Sequence, residues 1–435
     1  MAWITKNQEL RGYAADGLIA CRSCDCLHRI VDVPAGGKAC CRRCDDVLYR
    51  HLPRSLDNSA ALYLAAFILL LLANTFPSVA LQYGDRIEQS LLISGGFALQ
   101  QAGMGEIGLL VFLTSVMFPF LTTLSMLYLL LPLRIGVRPP QMTLVWRLVR
   151  LLSPWSLIGV FMLGLLVSVV KLQDLAMIIP GVAFYAFIAL LVVSSAAAAS
   201  FDPAVLWPRQ GPLPEFEMSA DADLSAASQG YAACPTCELL VKLTSSGRCK
   251  CPRCNSRIGG MRQAESVSRT AALLASAALL LVPANLYPVM TVIRLGQGEP
   301  STIVAGVIHL IEDGAWPLGL LVFFASFVVP ITKIVVLAFL LFTVQRGNTS
   351  RLRDRTHLYH VTEAIGAWSM VDIFLVGIMV ALVRMDGLAT VYPGIGASFF
   401  GAAVVLTMMA AHAFDPRLIW DRADAERIVA KEIPA

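Results

Sequence analysis

Residues 316–345 form an unbroken apolar run with a single charged side chain, Lys333. A helix of that length, at about 1.5 Å per residue, reaches farther than the hydrocarbon of a bilayer is thick. Seven more apolar runs, at residues 56–77, 106–133, 151–170, 180–200, 269–290, 361–383 and 391–413, repeat the pattern. They read as transmembrane helices, because a backbone in lipid must satisfy its polar groups within one segment or within a closed barrel. With 57% hydrophobic and 15% charged residues, little remains for a large soluble domain, and a net charge of +4 excludes a general nucleic-acid binder. Residues 1–20 carry Lys6, Glu9, Arg11 and Asp16 without an apolar core, so no cleavable signal peptide is expected.

The chain matches itself when its second half is laid on its first at a nearly constant offset. Cys21 and Cys24 fall on Cys234 and Cys237, and Cys41 and Cys44 on Cys251 and Cys254. Asn74 to Pro77 falls on Asn285 to Pro288, Trp155-Ser156 on Trp368-Ser369, Pro180-Gly181 on Pro393-Gly394, and Phe201-Asp202-Pro203 on Phe414-Asp415-Pro416. The expected fold is therefore an all-α polytopic membrane protein with two tandem repeats of four transmembrane helices, each preceded by a small ribbon. The segments are a first ribbon (1–53), a membrane domain (54–201), a Pro- then Ser/Ala/Asp-rich linker (202–230), a second ribbon (231–262), a second membrane domain (263–416) and a tail (417–435).

Arginines set the topology. Arg134, Arg138, Arg147 and Arg150 follow the second run, and Arg346, Arg351, Arg353 and Arg355 follow the sixth, so both segments are expected to be cytoplasmic. Four spans per repeat then put both ribbons and both termini on that side. The repeats are parallel, related by a pseudo-twofold axis along the membrane normal. Residues 78–105 and 291–315 face the other compartment. Alternation at Val289, Thr291, Ile293 and Leu295 predicts a strand there, followed by an amphipathic helix.

All eleven cysteines lie in two polar windows. In each window two CxxC pairs are separated by a hairpin-length stretch, from Cys24 to Cys41 in the first and from Cys237 to Cys251 in the second. Such pairs can set four thiolates at the corners of a tetrahedron, so each ribbon is expected to hold one Zn2+. Iron or thiol redox chemistry is the alternative for the same sulfurs. A closed four-thiolate shell leaves no position for catalysis, so folding and docking are the expected roles. Cys26, Cys40 and Cys249 are surplus thiols, and they leave a membrane stress or redox sensor as the alternative function.

Lys333 lies about three helical turns from Gln345, and Asp372 about three from Val361, which puts both at similar depths inside the hydrocarbon. A lone charge there costs several kcal/mol, so a mutual pair facing the bundle interior is expected, with Thr407, Ser326 and Ser369 completing a polar cluster. Such a cluster is either a helix-to-helix latch or a transport site. The first half argues for transport: it has Thr122, Gly159 and Ser194 at the positions of Lys333, Asp372 and Thr407, so the charges are not needed to build the unit. Lys171 and Asp174 form a candidate rim pair. His309, Glu312 and Asp313 have helical spacing but read as a solvated face. Gly36-Gly37-Lys38-Ala39 lacks the spacing and hydroxyl of a phosphate loop, so neither ATP hydrolysis nor any other enzymatic activity is expected.

The duplicated ribbon with four spans, the Asn-x-x-Pro closing spans one and five, and Trp368-Ser369-Met370-Val371-Asp372 together resemble the paraquat-inducible protein A family over nearly the whole chain. The resemblance implies a bacterial inner-membrane subunit working beside a periplasmic tunnel protein with mammalian-cell-entry domains, loading or unloading phospholipid at its base. It also implies that the eight CxxC cysteines are the metal ligands and that Lys333, Asp372, Thr407 and the neighbouring serines form the pocket. The matching first-half element reads Trp155-Ser156-Leu157-Ile158-Gly159, without the acid.

Overall fold

A computed structural model describes residues 18–83, 86–90, 94–172, 177–207, 225–244, 249–258, 262–294, 297–312, 314, 316–382, 384–385 and 389–432. Among them are eight helices long and apolar enough to cross a membrane. Spans one to eight are Ser55–Thr75, Gly105–Arg134, Met142–Val170, Val182–Ser200, Glu265–Leu286, Trp316–Gln345, Leu352–Val380 and Ile395–Arg427. The two segments expected to be arginine loops lie partly on helices. Met142–Leu152 and Leu352–Ile365 extend spans three and seven on the ribbon side, and each joins the apolar part through a short 3-10 turn, Ser153–Trp155 and Gly366–Met370.

Small residues let helices meet closely where no aqueous hydrophobic effect drives them together. Span one packs along span four and span five along span eight, and these four helices bury small residues, among them Ala66, Ala73, Ala183, Ala186, Ala277, Ala284, Ala397 and Ala403. The ribbon-side ends of these pairs are fastened alike. Ser55 Oγ donates to Ser200 O (2.8 Å) and accepts from Asp202 N (2.9 Å), while Ser266 Oγ donates to Ala413 O (2.7 Å) and accepts from Asp415 N (3.1 Å). The two halves meet along spans three and seven, where the Phe161 and Phe374 rings lie 5.3 Å apart edge to face and Gly164 abuts Phe374. Phe161 and Phe374 themselves fall on one another in the self-match of the sequence.

At the end of span one far from the ribbon, the chain is not helical as an all-α fold would require. Val79–Tyr83 pairs with Arg86–Ser90 and with Met177–Pro180, and Met290–Arg294 pairs with Gln297–Ser301 and with Ala389–Pro393. The strand expected from residue 289 onward is present, although Leu295 lies outside the described residues. The strand at 389–393 runs into the eighth apolar segment because its β-branched and aromatic residues continue the hydrophobicity of the span. Pro393 and Gly394 separate the two.

Candidate metal centres and intramembrane polar site

Each CxxC forms a tight knuckle. The amides of Asp25, Asp45, Glu238 and Asn255, one residue past the second cysteine, donate back to the carbonyls of Cys21, Cys41, Cys234 and Cys251 at 2.9 to 3.0 Å. All four residues have φ between 55° and 68°, and Asp, Asn and their neighbours tolerate this left-handed turn better than branched residues do. The hairpins bring Cys21, Cys24, Cys41 and Cys44 together, and separately Cys234, Cys237, Cys251 and Cys254, with all sulfurs of a group within 4.8 Å of one another. Contacts of 3.4 to 3.5 Å join Cys21 to Cys44, Cys24 to Cys41, Cys234 to Cys254 and Cys237 to Cys251. A disulfide would need about 2.05 Å. A tetrahedral ion bound at about 2.3 Å would set sulfurs about 3.8 Å apart, close to the geometry found. The hydrogen bond with Cys21 holds the Cys41 thiol far below its ordinary range and drives Cys24 far above it. Four sulfurs coupled in this way cannot all ionise until a cation offsets their charge. The residues fit a metal ion.

The ribbons cross over. Ribbon one docks on the second membrane half and ribbon two on the first. Ser23 Oγ, which donates to Asp46 (2.6 Å), also meets His360 Nε2 at 2.9 Å. Arg43 makes a two-pronged contact with Asp424 and lies 4.6 Å above the Trp420 ring. Burial alone would lower the Arg43 pKa, but Asp424 reverses this and raises it, so the pair stays ionised. In ribbon two, Trp146 Nε1 donates to Thr236 O (3.1 Å), Arg147 donates to Ser256 Oγ (2.5 Å) and Arg150 to Pro235 O. Sequence reasoning missed these docking residues. An available signal was the recurrence of an aromatic-basic pair, Trp146-Arg147 and Tyr359-His360, at the repeat offset.

Within the membrane, span six carries a π turn, Phe324–Val328, that packs against the 3-10 turn of span seven. Ser326 lies in the π turn, Ser369 in the 3-10 turn, Lys333 two turns on and Thr407 on span eight. Each of these four residues is at most 2% exposed. Lys333 Nζ donates to Thr407 Oγ1 (3.0 Å) and to the Gly366 carbonyl (3.3 Å). A side chain at Gly366 would press on the Lys333 Cε and Nζ at 3.3 Å. Ser326 Oγ has no hydrogen-bond partner among the described residues, whereas its counterpart Ser115 donates to Val111 O (2.6 Å).

Asp372 is buried (5% exposed) at the head of helix Val371–Leu382 and has an interaction of its own. The break in span seven turns the Gly366 carbonyl toward the Lys333 amine. Charge in an apolar run identified Lys333; a freed backbone carbonyl leaves no mark in residue type. Asp174 and Asp313 lie outside the described residues, and so does the pair that Lys171 would form. His309 and Glu312 stand 3.7 Å apart with both side chains more than 60% exposed, as a solvated face would be.

Eight apolar spans with two four-cysteine groups define a multi-pass membrane protein carrying two cysteine ribbons that could each hold a metal ion. The family described as Paraquat-inducible protein A matches twice, over residues 56–210 and 267–424. This chain belongs to that family. It is 33% identical over 405 residues to the Intermembrane transport protein PqiA of Escherichia coli K12, covering 93% of this chain and 95% of the relative. It is 28% identical to the Lipophilic envelope-spanning tunnel protein A of the same organism (92% and 90% covered) and 26% identical to a Probable intermembrane transport protein of Haemophilus influenzae (94% and 97%). No solved structure matches.

Proposed function

We propose that this protein is an inner-membrane subunit of an intermembrane lipid transport system. It would pass phospholipid between the inner membrane and a periplasmic tunnel protein with mammalian-cell-entry domains, through a pocket formed by Lys333, Asp372, Thr407, Ser326 and Ser369. The relatives named for intermembrane transport support the process and a non-enzymatic role.

The observation that carries the pocket is a lysine sealed at mid-membrane depth, whose amine donates to the Thr407 hydroxyl and the Gly366 carbonyl. An apolar side chain would pack the same helices at lower cost. Thr407 Oγ1 already donates to Val404 O (2.8 Å) and the Gly366 carbonyl already accepts from Ser369 Oγ (2.9 Å), so removing Lys333 orphans neither. A buried lysine at a position where the first half has Thr122 reads as a functional site, and an anion is the ligand its charge would attract. The phosphate of a lipid headgroup is such an anion, and the π and 3-10 turns are the weak points through which spans six and seven would part to admit it.

The rest of the proposal is two parallel tandem units with the segment boundaries given above, zinc in both ribbons, and cytoplasmic termini. Both ribbons sit against arginine-bearing helices, and a cytoplasmic setting keeps their thiols reduced. Of the three surplus thiols, Cys26 is buried, which speaks against a sensor role for it, while Cys40 and Cys249 are partly exposed.

Lys333→Met is expected to leave stability equal or raise it by up to about 3 kcal/mol. Phospholipid retained on the purified protein should nevertheless fall several-fold, and Asp372→Asn should share the lipid defect. Unchanged bound lipid and unchanged envelope-lipid phenotype in both variants would overturn the pocket.

A further inference from the structure

A cleft of about 420 Å3 opens between ribbon two and the helix Met142–Leu152. Its floor holds two buried hydroxyls, Thr236 and Ser256, whose oxygens lie 2.9 Å apart, and its rim holds three exposed cations, Arg147, Lys250 and Arg257, with Asn255 beside them. No carboxylate lines the cleft or pairs with these cations among the described residues. The bland account is that the cations balance the excess negative charge of a metal bound by four thiolates. The first ribbon argues against that account. It carries the same four sulfurs, yet at the positions of Lys250, Asn255, Ser256 and Arg257 it has Cys40, Asp45, Asp46 and Val47, and His360 at that of Arg147. Two acids stand at these positions of the first ribbon where two cations stand in the second, and the first ribbon's own Arg22 and Arg43 are engaged by Glu238 and Asp424, so a basic rim without carboxylate partners among the described residues distinguishes ribbon two.

We propose that this cleft binds an anionic phosphate group. A planar guanidinium held in place on Ser256 Oγ, a second guanidinium and an ammonium supply charge, while the Thr236 hydroxyl, which accepts from Ser256, and the Asn255 amide supply neutral donors. This is the donor set phosphate recognition uses. The helix below the cleft also presents exposed Leu144 and Leu151, and the turn before it exposes Ile135 and Val137. An apolar edge of that kind holds the site at the depth of lipid headgroups, whereas the volume would equally admit a soluble phosphate compound. The site is separate from the Lys333 cluster, and the proposal stands or falls without it.

The test grafts the residues of ribbon one onto ribbon two in the full-length protein, as Asn255→Asp with Ser256→Asp, with Lys250→Gln plus Arg257→Gln as a milder second variant. Metal content of about two per chain certifies that both ribbons are folded. Binding is read by native mass spectrometry against phosphatidylglycerol and phosphatidylcholine in mixed micelles, and by calorimetry against inorganic phosphate alone. The expected result is binding that weakens about tenfold or more in both variants, the loss of one to two charge-assisted contacts. Sensitivity confined to phosphatidylglycerol assigns the site to lipid headgroups, and sensitivity to inorganic phosphate assigns it to a soluble ligand. The proposal is overturned if metal-replete variants bind all probes as the parent does, or if the parent binds none of them.

Discussion

Replacing Cys237 with serine is expected to halve the metal content of the protein and to loosen the first membrane half rather than the second. A four-thiolate metal site contributes on the order of 10 kcal/mol to folding its module, so loss of one ligand unfolds a ribbon whose strands are only two or three residues long. What ribbon two holds in place is the helix Met142–Leu152, through Trp146, Arg147 and Arg150. Metal analysis should fall from about two ions per chain to about one. Limited proteolysis should open new cuts around residues 134–142. Cys24→Ser is the mirror case, freeing Leu352–Ile365 and Leu418–Glu432, which ribbon one clasps through His360 and Asp424. Cleavage confined to the half that carries the mutated ribbon's own sequence would contradict the crossed arrangement.

Gly394→Ala is expected to destabilise the second half by at least about 3 kcal/mol, a large value for adding a single methyl group. Its backbone is not in a left-handed conformation; the constraint is proximity. A Cβ there would sit 2.2 Å from the Pro288 carbonyl oxygen, and one at Gly181 would sit 2.1 Å from that of Pro77. The Pro288 oxygen cannot retreat, because the same corner is held by hydrogen bonds from Gly394 N to Val289 O (2.8 Å) and from Gly396 N to Pro288 O (3.0 Å). Gly306→Ala provides the comparison: its nearest neighbour would be the Ser301 hydroxyl at 3.5 Å, an ordinary contact within a helix. Thermal unfolding in detergent should show a large drop for Gly394→Ala and Gly181→Ala, and little change for Gly306→Ala. Equal midpoints would mean that the corner yields.

These two expectations show how differently the sequence exposed its features. The CxxC pairs were legible because ligand spacing within a knuckle is a local property, and the Asn-x-x-Pro and Pro-Gly pairs stood out as landmarks because both halves repeat them. That Pro77 touches Gly181, and Pro288 touches Gly394, was not legible. Each contact closes a loop that contains two whole spans, and neither residue signals its partner. Lys333 and Thr407 were found because polar atoms are conspicuous in apolar spans, yet the pairing of Lys333 with Asp372 was inferred from depth alone. Depth says nothing of which way a helix is turned or which backbone groups it frees, and the 3-10 break offers the amine a carbonyl that no residue type announces.

By itself, the sequence determined what one-dimensional pattern can carry: eight spans, from the length an apolar segment needs to cross hydrocarbon, and two four-sulfur ribbons, from spacing. Only the tertiary structure decided that each ribbon braces the opposite half, that short sheets cap the far side, and that Lys333 meets neutral oxygens. Those outcomes depend on how helices rotate and cross, which is set by close packing among residues distant in the chain, such as Phe161 against Phe374 beside Gly164.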